Sequence, residues 1–202
     1  TTPDIELIAT DLDGTLVQNA SDVSAANIAC LKAALDRGIE VCIATGRSHQ
    51  SASQFARQLE IEESLIISFN GAMVRRANEQ EPLRHVRVPT GEAAQIVDMA
   101  REGGHSLFYF VKDDLYVTHM HRWAWQYLER TGDQAEPIGD LRRMAGTAPT
   151  KLLIADDPPV ISRLLERDTE RFEGRLYVTR SLPHYIEYLN LNATKGHALA
   201  WL

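Results

Sequence analysis

The first seventy residues alternate short apolar runs with amphipathic stretches, and that alternation restricts the fold more than any other feature of the chain. Residues 5–10 (IELIAT), 39–44 (IEVCIA) and 65–68 (LIIS) are apolar and rich in β-branched side chains, and polar residues follow each run. Between the first two runs, Ile28, Leu31 and Leu35 fall on one helical face, with Ser24 placed to cap the helix and Gly38 to end it. Between the last two, Ala52, Phe55, Ala56 and Leu59 recur at i, i+3, i+4 and i+7. Strand–helix–strand–helix–strand with nearly continuous apolar strands predicts an α/β fold, a parallel sheet covered by helices on both faces. The strand at 5–10 is expected to be buried.

After Asn70-Gly71 the pattern changes. Strand-like runs at 72–76 and 83–88 flank a turn near Asn78, and a helix near 91–102 ends at Gly103-Gly104. The runs SLFYFV (106–111) and 114–118, separated by Lys112-Asp113, read as a hairpin. A Trp-bearing helix near 121–130, a strand at 151–155, a helix near 158–168 and a strand at 175–180 follow. Hairpins mixed with helices predict a separate α+β unit over residues 83–184, inserted into a core made of 1–82 and 185–202. The run YIEYL (185–189) and the helix that starts at Thr194-Lys195-Gly196 are assigned to that core. The last helix stops about two turns in, on Trp201 and Leu202, so the chain is expected to be cut short of a complete domain.

Composition excludes several classes. Of 202 residues, 44% are hydrophobic, which is ample for a packed core and argues against disorder. No apolar run approaches the ~18–20 residues of a membrane span, and no basic-then-apolar leader opens the sequence. Twenty-one Lys and Arg against 28 Asp and Glu give a net charge of −7, which argues against nucleic acid or an anionic membrane as partner. A small anionic substrate stays open, because a few local donors can dominate one pocket. Cys30 and Cys42 stand in apolar stretches without metal spacing and read as reduced core residues of a cytoplasmic protein.

Four short motifs stand where strands or loops meet helices. Asp11-Leu12-Asp13-Gly14-Thr15-Leu16 directly follows the first strand, so its two carboxylates stand at a carboxyl end, where open α/β sheets bind ligands. Gly14 permits a tight turn whose amides can cradle a phosphate, and two adjacent carboxylates call for a cation or for a raised pKa on one of them. Taken alone, the same residues suit an Asp-rich turn that caps a helix. Thr45-Gly46-Arg47 closes the second strand with a hydroxyl, a bare backbone and a guanidinium; they suit phosphoryl oxygens, but taken alone the motif fits a helix cap with a turn Gly and a solvated Arg better. Lys195 opens a helix, where its charge opposes the macrodipole unless an anion is near. Asn70-Gly71 after the third strand is a common turn dipeptide. Of the seven histidines, only His119 and His121 are close in sequence, and no carboxylate or Cys completes a metal set. The aromatics Phe108, Tyr109, Phe110, Trp123, Trp125 and Tyr127 read as the core of the second unit.

The order of these motifs resembles the haloacid-dehalogenase-like phosphohydrolases: DxDGTL after the first strand, TGR after the second, NGA after the third, an inserted α+β unit, then TKG opening a helix. Within that superfamily the chain is similar to the Cof-type branch, and the resemblance spans essentially all 202 residues. It implies a Rossmann-like parallel-sheet core with an inserted cap, and Mg²⁺-dependent hydrolysis of small phosphorylated metabolites, sugar phosphates first among them. It also implies roles. Asp11 is the nucleophile that becomes an aspartyl phosphate, and Asp13 the acid and base. Mg²⁺ binds the Asp11 carboxylate and the Asp13 carbonyl, while Thr45 and Lys195 hold the phosphoryl group with Leu12, Gly46, Arg47 and Asn70 beside them. The cap closes over the site. The family's fourth motif, an acidic loop after the Lys-bearing helix, lies beyond Leu202. Two rivals accompany this reading: a phosphosugar mutase of the same superfamily, and a fragment that binds phosphate or a partner without turnover.

Overall fold

The computed structural model describes residues 5–17 and 22–202; residues 1–4 and 18–21, which fall inside the expected core segment, lie outside the described residues. The chain divides into two compact units, one built from residues up to His85 together with Lys195–Leu202, the other from Val86–Thr194.

The first unit carries a five-stranded sheet in chain order: β1 (Leu7–Thr10), β2 (Glu40–Ala44), β3 (Leu65–Ser68), β4 (Met73–Arg76) and β5 (Arg84–His85). The first three strands are parallel, with Thr10 opposite Ile43 and Ala44 opposite Ile67, so their carboxyl ends share one edge. β4 and β5 add antiparallel, which makes the sheet mixed. The helices α1 (Ala25–Leu35) and α2 (His49–Gln58) follow β1 and β2. Their apolar stripes, Leu31 from α1 and Ala52, Phe55 and Ala56 from α2, pack with Val41, Ile43 and Ile66 on one face. The opposite face holds Cys42, Ala44, Ile67 and Val74 under Ala198 of α6 (Lys195–Trp201). Successive β2 residues therefore serve opposite faces, as the pleat requires. Ser24 and Ser48 cap α1 and α2 by accepting from the amides of Asn27 and Ser51.

In the second unit a six-stranded sheet runs in the order β10-β11-β9-β6-β7-β8. Its strands are β6 (Ser106–Val111), β7 (Asp114–Val117), β8 (Ala135–Pro137), β9 (Lys151–Ala155), β10 (Leu176–Leu182) and β11 (Tyr185–Asn190). All pairings are antiparallel except β7 with β8. The helices α3 (Thr90–Gly103) and α5 (Pro158–Arg171) bury Ile96, Ala100, Ile161 and Leu164 against Leu107, Tyr109, Leu152, Ile154, Ile186 and Tyr188. Each such aliphatic side chain contributes about 1.5–3 kcal/mol on burial. The other face presents Phe108 and Phe110, whose rings lie 5.1 and 5.9 Å from that of Tyr127 on α4 (Arg122–Thr131).

Several expectations need correction. Residues 185–189, assigned to the core, pair with β9 and β10 in the second sheet, because the choice of sheet rests on partners distant in sequence. Residues 84–85 instead extend the first sheet beside β4. β1 is not buried: among the described residues it pairs with β2 alone, and Leu7 stays 37% exposed. Cys42 is buried, and burial pushes its thiol up to about 11, whereas Cys30 is exposed on α1. Trp125 points outward, 61% exposed, while Trp123 and Tyr127 on the same helix are buried. The ring of His119 stands edge-on to His121, 5.3 Å away. His121 caps α4 by accepting from the Ala124 amide, and burial lowers its pKa.

Candidate active site

The parallel register places residues 11–13, 45–47 and 69–70 along one edge of the first sheet, directly past the ends of β1, β2 and β3. The loop after β1 doubles back at once: Val17 N–H donates to the Leu12 carbonyl at 2.9 Å and Gly14 N–H to the Val17 carbonyl at 2.9 Å. Gly14 takes φ +75°, a conformation that costs a residue with a Cβ far more than glycine. Leu12 is fully buried in the core, which leaves Asp11 and Asp13 on either side of it facing away from that core.

Asp11 is held on both oxygens. Its Oδ1 accepts from the Leu12 amide at 2.7 Å, and its Oδ2 pairs with Lys195 Nζ at 2.6 Å. This second contact joins residues 184 positions apart, and the two side chains remain 40% and 34% exposed. The Leu12 N–H, expected to face a phosphate, is thus engaged by the neighbouring carboxylate. Lys195 is the first residue of α6, which packs on β3 and the turn after it. The anion that its position called for is Asp11.

Thr45 is fully buried, and its Oγ1 accepts from the Arg47 amide at 3.2 Å. The backbones of the second and third loops are stitched together: Phe69 N–H reaches the Arg47 carbonyl at 2.9 Å and Asn70 N–H the Thr45 carbonyl at 3.0 Å. To do so Phe69 and Asn70 both adopt positive φ, 49° and 58°. Such backbone costs of order 1–3 kcal/mol per residue and collects at functional sites. The reason for Gly46 is visible here, since a Cβ would stand 2.8 Å from Asn70 Oδ1. Asn70, whose dipeptide alone said little, comes against the TGR segment through this contact.

Arg47 is directed elsewhere than expected. Its Nε and Nη2 donate to Asp13 Oδ2 and Oδ1 at 3.0 and 2.6 Å, a two-pronged grip. The guanidinium lies 4.9 Å from the Phe55 ring centroid, and Nη1 is 3.5 Å from Ser51 Oγ. At one sheet edge, therefore, Asp11 meets Lys195, and Asp13, Thr45, Gly46, Arg47 and Asn70 are tied to one another. Ser51 and Phe55 were not singled out as site residues in the sequence; their helical spacing from Arg47, i+4 and i+8, was the available signal.

Two hard oxygen sources, the Asp11 carboxylate and the Asp13 main-chain carbonyl, stand in this loop. No group of three or more His, Cys, Asp or Glu that could hold a metal occurs among the described residues. Such a pair fits an ion shared with water and a phosphate ligand, which is how Mg²⁺ usually binds, rather than a cage built from protein alone.

Comparison with known proteins agrees with this geometry. The model of the haloacid dehalogenase-like hydrolases matches residues 8–202. The 5-amino-6-(5-phospho-D-ribitylamino)uracil phosphatase YitU of Bacillus subtilis is 30% identical, covering 96% of this chain and 72% of its own. The phosphatase YwpJ of the same organism is 26% identical over 96% of this chain and 76% of its own. A haloacid dehalogenase-like hydrolase from Bacteroides thetaiotaomicron superimposes with a TM-score of 0.87 at 20% identity, over 98% of this chain and 76% of that one. With a matched family model over nearly its whole length and the DxD, TGR and Lys195 elements meeting at one sheet edge, the chain belongs to the haloacid dehalogenase-like hydrolase family.

Proposed function

We propose that the protein is a phosphatase of small phosphorylated metabolites, sugar and sugar-alcohol phosphates first among them, and that it works through a phosphorylated Asp11. The observation that carries this reading is the 2.6 Å contact between Lys195 Nζ and Asp11 Oδ2, made at the carboxyl end of a parallel sheet by half-exposed groups. A carboxylate beside a fixed ammonium offers a nucleophile and a place for an incoming phosphoryl group together. The substrate class is supported by the name of the 30%-identical relative, whose substrate carries a phosphorylated ribityl chain.

In the first half-reaction an Asp11 oxygen forms a bond to phosphorus as the bond to the alkoxide breaks, and Asp13 gives that alkoxide its proton. In the second, water attacks phosphorus, Asp13 takes a proton from it, and the Asp11–phosphorus bond breaks to release phosphate. Lys195 and the Thr45 hydroxyl hold the equatorial oxygens, whose charge is what an enzyme of this kind has to stabilise. Gly46 and Asn70 set the backbone around them. Asp11 and the Asp13 carbonyl would hold Mg²⁺, which when bound supplies positive charge between nucleophile and phosphate.

The direct test is Asp11→Asn. Asparagine keeps the size and the contact with the Leu12 amide but lacks the nucleophilic oxygen. Turnover of p-nitrophenyl phosphate and of a panel of sugar phosphates should fall on the order of 10³-fold or more, with the circular dichroism spectrum unchanged. Activity within a few-fold of wild type would overturn the assignment.

A further inference from the structure

Arg47 follows a glycine at the end of β2, a position that suggests a phosphate contact. The structure gives its guanidinium a different partner. Arg47 is 7% exposed and bridges the loop after β1 and the first turns of α2. Two of its five N–H groups grip the two oxygens of Asp13, at 3.0 and 2.6 Å, and a third faces Ser51 Oγ at 3.5 Å. The Phe55 ring closes the other side, 4.9 Å from the guanidinium carbon.

Exposure within the pair is lopsided: the Arg47 side chain is 6% exposed and that of Asp13 50%. The carboxylate is thus held from its buried side and presented outward. Compensating the buried guanidinium is one reason for this arrangement, and a single acceptor would go far toward it. Orientation is a better one. Asp13 precedes Gly14, the most permissive backbone point of the loop, and its short side chain has two torsions to settle. A planar fork fixes both together, which a point charge cannot do. Proton transfer needs the donor oxygen within about 2.6–3.2 Å of its target, so an unset rotamer forfeits most of it.

We propose that Arg47 is a positioning residue that acts through Asp13: it sets the carboxyl group that gains a proton from the attacking water in one turnover and delivers it to the leaving oxygen in the next. This rests on the reading of Asp13 as proton donor given above. Ser51 and Phe55 support Arg47 in turn, by contact with its outer nitrogen and its face.

The role separates from phosphate binding by its dependence on the leaving group. An alkyl phosphate expels a basic alkoxide that needs the proton, whereas p-nitrophenolate leaves without it. Arg47→Ala and Arg47→Lys, assayed with Mg²⁺ on glucose 6-phosphate and on p-nitrophenyl phosphate, should lose on the order of 10²-fold in kcat on the first. On the second the loss should stay below about 10-fold, and inhibition by inorganic phosphate should weaken by less than about 3-fold. Lysine should restore little, because it lacks the fork. Added methylguanidinium should return part of the glucose 6-phosphate rate to Arg47→Ala, a rescue that a folding defect would not show. Equal losses on both substrates with weakened phosphate inhibition would overturn the proposal and make Arg47 a phosphate ligand. Losses that follow the melting temperature, without rescue, would overturn it in favour of a structural role. A wild-type protein inactive on every phosphate ester would remove the phosphatase reading itself, whereas an active wild type with leaving-group-independent losses would remove only the role of Arg47.

Discussion

Two charge pairs set the two units apart. In the first unit Lys195 and Asp11 meet at 2.6 Å with about a third of each side chain or more in contact with solvent. In the second, Lys151 on β9 and Glu187 on β11 meet at 3.3 Å with 2% and 4% exposed. The buried pair is embedded in its sheet: Lys151 Nζ lies 5.2 Å from the Phe110 ring, and Ser181 donates a 2.7 Å hydrogen bond to the Glu187 carboxylate. Nearby in the fold, Asp168 is fully buried, accepts from Tyr188 at 2.6 Å and pairs with Arg167, and burial drives the Tyr188 phenol far upward. The buried charges of the second unit thus hold its own strands and helices together. Lys195 and Asp11 of the first stay reachable. Desolvation separates the two cases, because the buried pair has given up hydration that the exposed one keeps.

The contrast can be broken at either end, and the buried end should break hardest. Lys151→Met leaves the Glu187 carboxylate buried without its cation, which costs roughly 3–5 kcal/mol of stability. Urea unfolding should show it, and the double variant Lys151→Met/Glu187→Leu should regain most of the loss, since a well-packed apolar pair can replace a buried ionic one. A single variant as stable as wild type would mean that water reaches the pair. At the exposed end, Lys195→Met should do the reverse. Loss of one donor to the phosphoryl oxygens is expected to lower kcat on the order of 10²–10³-fold, while the urea midpoint hardly moves. A shifted midpoint with kcat retained would exchange the roles of the two pairs.

The smallest effect belongs to an exposed pair of the second unit. Asp140 is gripped by Arg142 through contacts of 2.6–3.2 Å, which hold its carboxyl down to about 2. A carboxyl lowered in the folded state adds stability above its unfolded pKa near 4 and loses it as the pH falls through about 2. The melting temperature of Asp140→Asn should therefore fall below wild type by a few degrees at most at pH 6. That gap should close between about pH 4 and pH 2; a gap independent of pH would point to the cap that Asp140 gives the Arg142 amide rather than to its charge.

Much of the first unit was legible because its signals are local. Periodicity marked α1 and α2, and unbroken apolar runs marked β2 and β3. The DxD and TGR motifs fell at strand ends, where a parallel sheet gathers the loops that leave its strands. The second unit was less legible. Its helices and hairpin showed, yet β8 was missed, since Ala135-Glu136-Pro137 has no strand-like composition and is held by pairing with β7. The run at 185–189 is assigned to the core from its sequence yet forms β11 in the second sheet, because Tyr185-Ile186-Glu187 would suit either.

At the site, residue types alone determined the ingredients: two carboxylates, a hydroxyl, a guanidinium and an ammonium, in an order that marks the family. Tertiary structure decided who meets whom. Nothing in the sequence tells that Lys195 reaches Asp11 across 184 residues, or that Arg47 turns to Asp13. Nor does it tell that a Cβ at Gly46 would meet the Asn70 side chain, or that Phe69 and Asn70 adopt positive φ to tie the second and third loops together. Periodicity and propensity act over a few residues, so a single chain records them directly. The pairing of charges across loops depends on distances that exist only once the sheet has fixed its register and the helix bearing Lys195 has packed upon it.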